Sequence, residues 1–244
     1  MLLRIFRPIF IWLNMLADRS RFTRSPDDIA HVAVVIRRVD RLVLTHSGIA
    51  HRSKEGVFVI HMGGHLFAVN EANDGSWAFA IPMISDIEGE YVSGFCRKVA
   101  RSRSLRAIPY GFEFEPDVAF DSTTGEFLAH KQSGLTCATF AESIFPSAGM
   151  PLVLLDTWPI VASEEDKAAR EWLMSVWESS GKEHLKEQAA KIRPSISARR
   201  VSPEQVSGAC LQRFRPAIYE KCRANGKWLL EMVDLWFGPP DKPV

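Results

Sequence analysis

Four short apolar segments follow one another between residues 29 and 70, and they constrain the fold most strongly. They are IAHVAVVIRR (29–38), RLVLTH (41–46), VFVIH (57–61) and HLFAVN (65–70), with turn residues between them. Such runs, rich in β-branched residues and bounded by turns, are typical of strands. Connections this short cannot hold the crossover that parallel strands need. The segments therefore predict an antiparallel β-meander and, with the helices that follow, an α+β protein.

Helical patterns occupy most of the chain after residue 84. Residues 85–103 predict a helix capped by its first serine, with acidic residues early and basic residues late, as the helix dipole favours. A second helix is predicted over residues 136–145, and Pro146 is expected to stop it. Residues 163–237 predict further helices, the last of which begins at the capping box Ser202-Pro203-Glu204-Gln205 and is kinked at Pro216.

The composition argues against some classes of function but does not identify one. A chain of 244 residues, 46% of them hydrophobic, can bury a substantial core without a metal or disulfides. A net charge of +1 argues against nucleic-acid binding as the main role. The four cysteines show no CxxC spacing, which fits a reducing compartment or a secreted protein that does not depend on disulfides. We expect no cofactor.

Residues 2–16 (LLRIFRPIFIWLNML) are almost all apolar. As a helix they would reach about 22 Å, short of the roughly 30 Å of a hydrocarbon core. Their few polar residues share one helical stripe, so the segment could lie on a membrane surface or pack against protein. The residues after Leu16 lack a clean signal-peptide cleavage site, so a cytoplasmic or membrane-associated location is favoured over secretion.

The expected domain organisation has three parts. Residues 1–28 form an apolar helix and linker, residues 29–160 a catalytic domain, and residues 161–244 a C-terminal helical extension.

Cys137 is the candidate for chemistry, because it opens the predicted helix TCATFAESIF. The positive end of the helix dipole favours the reactive thiolate there, although a lone cysteine is more often a small buried hydrophobe. A thiolate needs a base, and the base needs an orienting group. His31 and His46 lie on neighbouring predicted strands and could sit side by side.

The same residues resemble a known family. IAHVAVVI is similar to the "SHVGIVV" strand of the permuted NlpC-like amidases (the YiiX-like and YaeF-like group), whose histidine is the catalytic base. RLVLTH places His46 where that group carries an orienting residue, usually Glu. Further matches are the segment Ile108-Pro109-Tyr110-Gly111-Phe112 to "G-x-pYD-F" and the segment Thr136-Cys137-Ala138-Thr139-Phe140 to "yCSELV". The resemblance covers about residues 29–155, with Gly111 in place of Asp and Ala138-Thr139 in place of Ser-Glu.

This resemblance implies a permuted papain-like fold, in which an antiparallel meander or barrel packs on the helix that bears the nucleophile. It implies a thiol hydrolase acting on a peptide, amide or lipid-ester substrate through a thioester. Cys137 would attack the carbonyl, His31 would move the proton and His46 would orient His31. The backbone N–H of Cys137 and the Tyr110 hydroxyl would bind the oxyanion. The acyltransferase signature NCEHF is absent, which favours hydrolysis over acyl transfer on the same fold.

Three alternatives remain open. THSGIAH (45–51) also resembles "SHVGI", and this alignment makes His46 the base and His61 the orienting group. A metal-binding protein could use His46, His51, His61 and His65, although no HExxH motif is present. A non-catalytic, membrane-associated interaction module could keep the same fold.

Overall fold

The computed structural model describes residues 17–39, 44–114, 119–129 and 133–239. The predicted membrane-surface segment, residues 2–16, lies outside the described residues. The strands are β1 Phe22–Thr23, β2 Val32–Arg38, β3 Thr45–Ser53, β4 Gly56–Gly64, β5 Phe67–Ala72 and β6 Ala78–Ala80. The helices are α1 Asp86–Arg101, α2 Cys137–Ser147, α3 Glu164–Ser179, α4 Glu183–Ile192, α5 Pro203–Cys210 and α6 Tyr219–Phe237. Within these residues, no helix is both long and apolar enough to cross a bilayer.

The six strands form one open antiparallel sheet in the order β1-β6-β2-β3-β4-β5. Strands β2 to β5 are a meander, as the short connections predict. The α+β class is confirmed.

The start of the second meander strand differs from the prediction. Strand β3 begins at Thr45 and runs through residues 46–53, which the sequence pattern divided between a strand end and a turn. In a hairpin, partners lie equally far from the turn, so His46 pairs with Arg37. His31 instead lies opposite Arg52, whose backbone N–H donates to the His31 carbonyl at 2.8 Å. Six strand positions, about 20 Å, therefore separate His31 from the partner of His46, and the predicted side-by-side placement is wrong.

Local capping signals placed two helices correctly. At α1, Ser85 and Glu88 form a reciprocal capping box. At α2, Thr136 and Thr139 do the same, so Cys137 lies at the start of this helix as predicted. The helix continues through Pro146 to Ser147, so the predicted stop at Pro146 is wrong.

The later helices depart from the pattern in one respect. Ser202 caps α5, as predicted. Pro216 does not kink a continuous helix, since α5 ends at Cys210 and α6 starts at Tyr219.

The principal core lies between one face of the sheet and the helices. It joins Ile36 and Ile49 of the sheet with Phe140 of α2 and with Val206 and Leu229 of α5 and α6. A smaller core covers the opposite face of the sheet, and its buried side chains are Ile29, Ala33, Val35, Ala50, Val59, Trp77 and Phe79. The last two helices thus share a core with residues 29–160, across the predicted domain boundary.

Candidate functional site

Cys137 is the first residue of α2 and the only one of the four cysteines that reaches solvent. The other three are fully buried, and burial raises the pKa of both Cys96 and Cys210 to about 12. Reactivity at neutral pH is therefore expected at Cys137 first.

The chain segments around Tyr110 and Cys137 are held together by a close backbone crossing. Tyr110 pairs with Leu135, two residues before the cysteine. A Cβ on Gly134 would lie 2.8 Å from the backbone nitrogen of Gly111, so two glycines are needed where the segments cross. A Cβ on Gly111 would likewise lie 3.0 Å from the Cα of Gly134. As a result Tyr110 and Cys137 line the same cavity, which has a volume of about 90 Å³.

The Cys137 thiol lies against Ser47 of β3. Burial raises the pKa of the Cys137 thiol. Hydrogen bonds with the backbone N–H and the hydroxyl of Ser47, and the charge of Arg200, act in the opposite direction but do not offset burial. The hydroxyl of Ser47 is itself buried and has no other hydrogen-bond partner of good geometry among the described residues. The pKa of the thiol therefore lies above its ordinary value, against the direction that the helix dipole favours.

Three side chains form a hydrogen-bonded relay on the sheet, here called the histidine relay: His46, His61 and Glu71. His46 Nε2 lies 2.9 Å from His61 Nδ1, and His61 Nε2 lies 3.0 Å from Glu71 Oε1. A carboxylate only accepts, so His61 Nε2–H donates to Glu71 and neutral His61 accepts at Nδ1. His46 must then donate from Nε2, which leaves the lone pair of its Nδ1 free to accept a proton.

Both histidines of the relay are neutral at pH 7. Burial, followed by His61 and Arg37, lowers the pKa of His46 to about 3. Burial also lowers the pKa of His61, although the hydrogen bond to Glu71 and its charge act in the opposite direction. A neutral imidazole keeps one unprotonated ring nitrogen, and in His46 this nitrogen is Nδ1.

The thiol and the histidine relay lie on opposite faces of β3. Consecutive side chains of a strand point to opposite faces. His46 faces the smaller core, where Trp77 lies 5.7 Å from it between ring centroids. Ser47 faces the principal core and Cys137. Among the described residues, no hydrogen bond joins Cys137 to His46.

His31 is not near Cys137. It packs against Gly89 of α1, its Nε2 lies 3.7 Å from Asp86 Oδ1, and it does not line the cavity of the cysteine. The predicted arrangement of Cys137, His31 and His46 as one triad is therefore not assembled. The pairing of His46 with His61, which the second alignment predicted, is present in the structure.

The four histidines considered as metal ligands do not converge. His51 is bonded to Asn70 at 2.8 Å, and the backbone N–H of Tyr110 donates to His65 at 3.3 Å. In the part of the chain that the structure describes, no group of three or more His, Cys, Asp or Glu side chains is arranged to hold a metal ion.

Sequence reasoning missed Glu71 and the arginines around the cavity. Val59 pairs with Glu71, so Glu71 is the diagonal neighbour of His61, a position that long side chains can reach. Counting residues outward from the turn between VFVIH and HLFAVN could have predicted that Glu71 lies near His61. Arg170, Arg199 and Arg200 come from the C-terminal helical region, and no local pattern brings them to Cys137.

Comparison with known proteins assigns no family. No protein-family model matches the chain, and no curated protein and no solved structure matches it either.

Proposed function

We propose that this protein is a thiol hydrolase in which Cys137 is the nucleophile, His46 the base and His61 the orienting group, with Glu71 behind it. The histidine relay is the observation that supports this best. It fixes the tautomer of His46 so that Nδ1 carries a free lone pair, as a general base requires.

The reaction would proceed in two halves. His46 Nδ1 takes the proton from Cys137 Sγ, and the sulfur attacks the carbonyl carbon of an amide, peptide or ester. The proton returns from His46 to the leaving amine or alcohol, which leaves a thioester, and water activated by the same histidine then hydrolyses it. Burial raises the pKa of Tyr110, so its hydroxyl stays protonated and can donate to the oxyanion.

The mechanism requires Sγ and Nδ1 to approach each other, which they do not do in the resting structure. The start of β3 is the element that would have to move. The paired positions of β3 and β4 begin only at Gly48, so residues 45–47 are paired on the β2 side alone. Leu44 and Thr45 also form part of the cavity wall beside Cys137. Catalytic hydrogen bonds commonly tighten only when substrate is bound.

The permuted papain-like fold is proposed on the same grounds. An antiparallel meander packs on a helix whose first residue is the cysteine, and the strand that carries His46 precedes that helix in the chain. Within this proposal the second alignment, THSGIAH, replaces the first.

A non-catalytic interaction module is the second candidate. The raised pKa of the Cys137 thiol and the missing hydrogen bond between Cys137 and an imidazole favour it. Both candidates predict preferential alkylation of Cys137, because the other cysteines are buried. The two candidate functions differ in whether a histidine controls the rate of this alkylation.

We expect the His46→Ala substitution to slow alkylation of Cys137 by iodoacetamide at pH 7 by about 10-fold or more, the scale of general-base assistance. The change removes the group that would accept the thiol proton once the start of β3 has moved. His31→Ala is the matched control, because His31 lies at the far end of β2, and it should leave the rate unchanged. The rate is read by mass-spectrometric mapping of all four cysteines over a range of pH.

Two results would go against the proposal. An unchanged rate in His46→Ala would favour the non-catalytic module. A larger effect of His31→Ala would restore the first assignment of the base. Circular dichroism of each variant separates loss of the base from loss of the fold.

A further inference from the structure

The cavity beside Cys137 is strongly basic. Three arginines line it, Arg170, Arg199 and Arg200, and none of its lining residues is acidic. These arginines belong to the region 161–244, which the family resemblance does not cover. The cavity is thus built where that region meets the helix of the candidate nucleophile.

Among the described residues, Arg170 and Arg199 form no ion pair with a carboxylate, although the charge of Asp166 also acts on Arg170. Arg170 is 6% exposed, and its guanidinium donates to the backbone carbonyls of Ile196 and Ala198, both at 2.7 Å. Arg199 donates to the carbonyl of Leu155 at 2.9 Å. Backbone carbonyls satisfy hydrogen bonds but do not neutralise a charge, so the positive potential extends into the cavity.

Arg200 is the third arginine, and its charge reaches the reacting group. It pairs with Asp166 at 2.7 Å. It also lowers the pKa of the Cys137 thiol and opposes the rise in the pKa of Tyr110. Arg200 is therefore close enough to the thiol to act on an anion bound there. Asp166 competes with that anion for the same guanidinium.

The rest of the wall is apolar. Phe112 stacks under Arg170, with the guanidinium carbon 4.6 Å from the ring centroid, and Leu173 and Val201 continue this surface. The cavity volume of about 90 Å³ admits a small group rather than a whole ligand. The lining therefore suits a compact anion attached to an apolar or extended remainder.

We infer that the substrate of Cys137 carries an anionic oxygen group, a carboxylate or a phosphate, that Arg199 and Arg200 bind beside the thiol. The buried Arg170 adds to the positive potential of the cavity. Asp166 pairs with Arg200 when no anion is bound, and the anion displaces Asp166. The inference rests on the proposed function, because it assigns the substrate class of the same cysteine. Planar guanidinium groups suit both oxyanions.

The test compares two alkylating probes of similar size, anionic iodoacetate and neutral iodoacetamide. We expect the ratio of their rates at Cys137 to be about three-fold or more above the ratio for a neutral cysteine peptide, because the cavity attracts the anion. The excess should shrink as salt screens it. Arg199→Gln and Arg200→Gln should each lower the ratio towards the peptide value.

Asp166→Asn is the decisive variant, because it should raise the ratio, a gain that partial unfolding would not produce. Arg223→Gln is the charge-matched control, since Arg223 is exposed and pairs with Glu220 on α6, and it should leave the ratio unchanged. Inorganic phosphate and acetate, added as competitors of iodoacetate, identify the preferred oxyanion by the stronger protection.

The outcomes separate this inference from the proposed function. A ratio equal to that of the peptide and insensitive to the arginine variants overturns anion binding. If alkylation by iodoacetamide still depends on His46, the hydrolase proposal survives that result. A raised ratio that follows the arginines supports anion binding beside Cys137. If the dependence on His46 is absent as well, the hydrolase proposal fails and the bound anion is not part of a substrate.

Discussion

The Glu142→Gln variant is expected to raise the free energy of unfolding by about 3 kcal/mol at pH 7, the linkage cost of the shifted carboxyl. Glu142 lies on α2, is 2% exposed and has one carboxyl oxygen without a hydrogen-bond partner among the described residues. Burial raises its pKa from 4.5 to about 8. The folded protein thus keeps this proton up to about pH 8, whereas the unfolded chain releases it near pH 4.5. Between these two pH values, folding must therefore be accompanied by the uptake of one proton on Glu142.

The sign follows from this difference in bound protons. Stability falls as the pH rises from 4.5 towards 8, at about 1.4 kcal/mol per pH unit. Glutamine has nearly the same shape and no proton to take up, so the gain should vanish near pH 4.5 and level off above pH 8.

Urea unfolding at several pH values measures this gain. Glu187→Gln on α4 removes the same charge from an exposed position and serves as the control. A gain that is equal at all pH values, or a less stable Glu142→Gln variant at pH 7, would show that the carboxyl is ionised in the folded protein.

Helix starts could be predicted from the sequence because their signals are local. Ser85 and Thr136 satisfy orphan N–H groups of their own helices through capping boxes, within three residues along the chain. The position of Cys137 at a helix start follows from Thr136 alone. No long-range contact had to be known.

The register of the sheet could not be read in the same way. The apolar run in RLVLTH looks like a strand, while Ser47-Gly48 interrupts the β-branched pattern. Gly48 nevertheless lies inside β3. A Cβ at this position would lie 2.6 Å from His61 Cβ and 2.7 Å from the Ile60 carbonyl oxygen, so the strand needs a glycine here. A glycine in a strand often marks such a close approach. Here it is what allows His61 to sit beside His46.

The charged surroundings of Cys137 depend on tertiary contacts alone. Arg170 lies on α3, and Arg199 and Arg200 come before α5, more than thirty residues after the cysteine. Helical periodicity indicates that α3 has a buried face, but not which element covers it. The sequence therefore could not show that arginines of the predicted C-terminal extension line the cavity beside Cys137.

Acidification is expected to destabilise the protein through His46. Its pKa lies near 3 in the folded protein, against 6.5 for an unperturbed histidine. Between these values the unfolded chain binds a proton that the folded protein does not. Stability is therefore lost as the pH falls from 6.5 towards 3, at up to about 1.4 kcal/mol per pH unit. His51 and His61, whose pKa values burial also lowers, add to the same slope.

The His46→Gln substitution isolates this contribution. The glutamine amide can still donate to His61 Nδ1, but it cannot take up a proton. Between pH 7 and pH 4, the variant should lose about 3 kcal/mol less stability than the wild type, by the same linkage. Thermal or urea unfolding at each pH measures the difference, and His184→Gln, at an exposed position, is the control. A difference that does not change with pH would mean that His46 is protonated as readily in the folded protein as in the unfolded chain. The histidine relay would then be open to water, and the fixed tautomer on which the assignment of His46 as base depends would be lost.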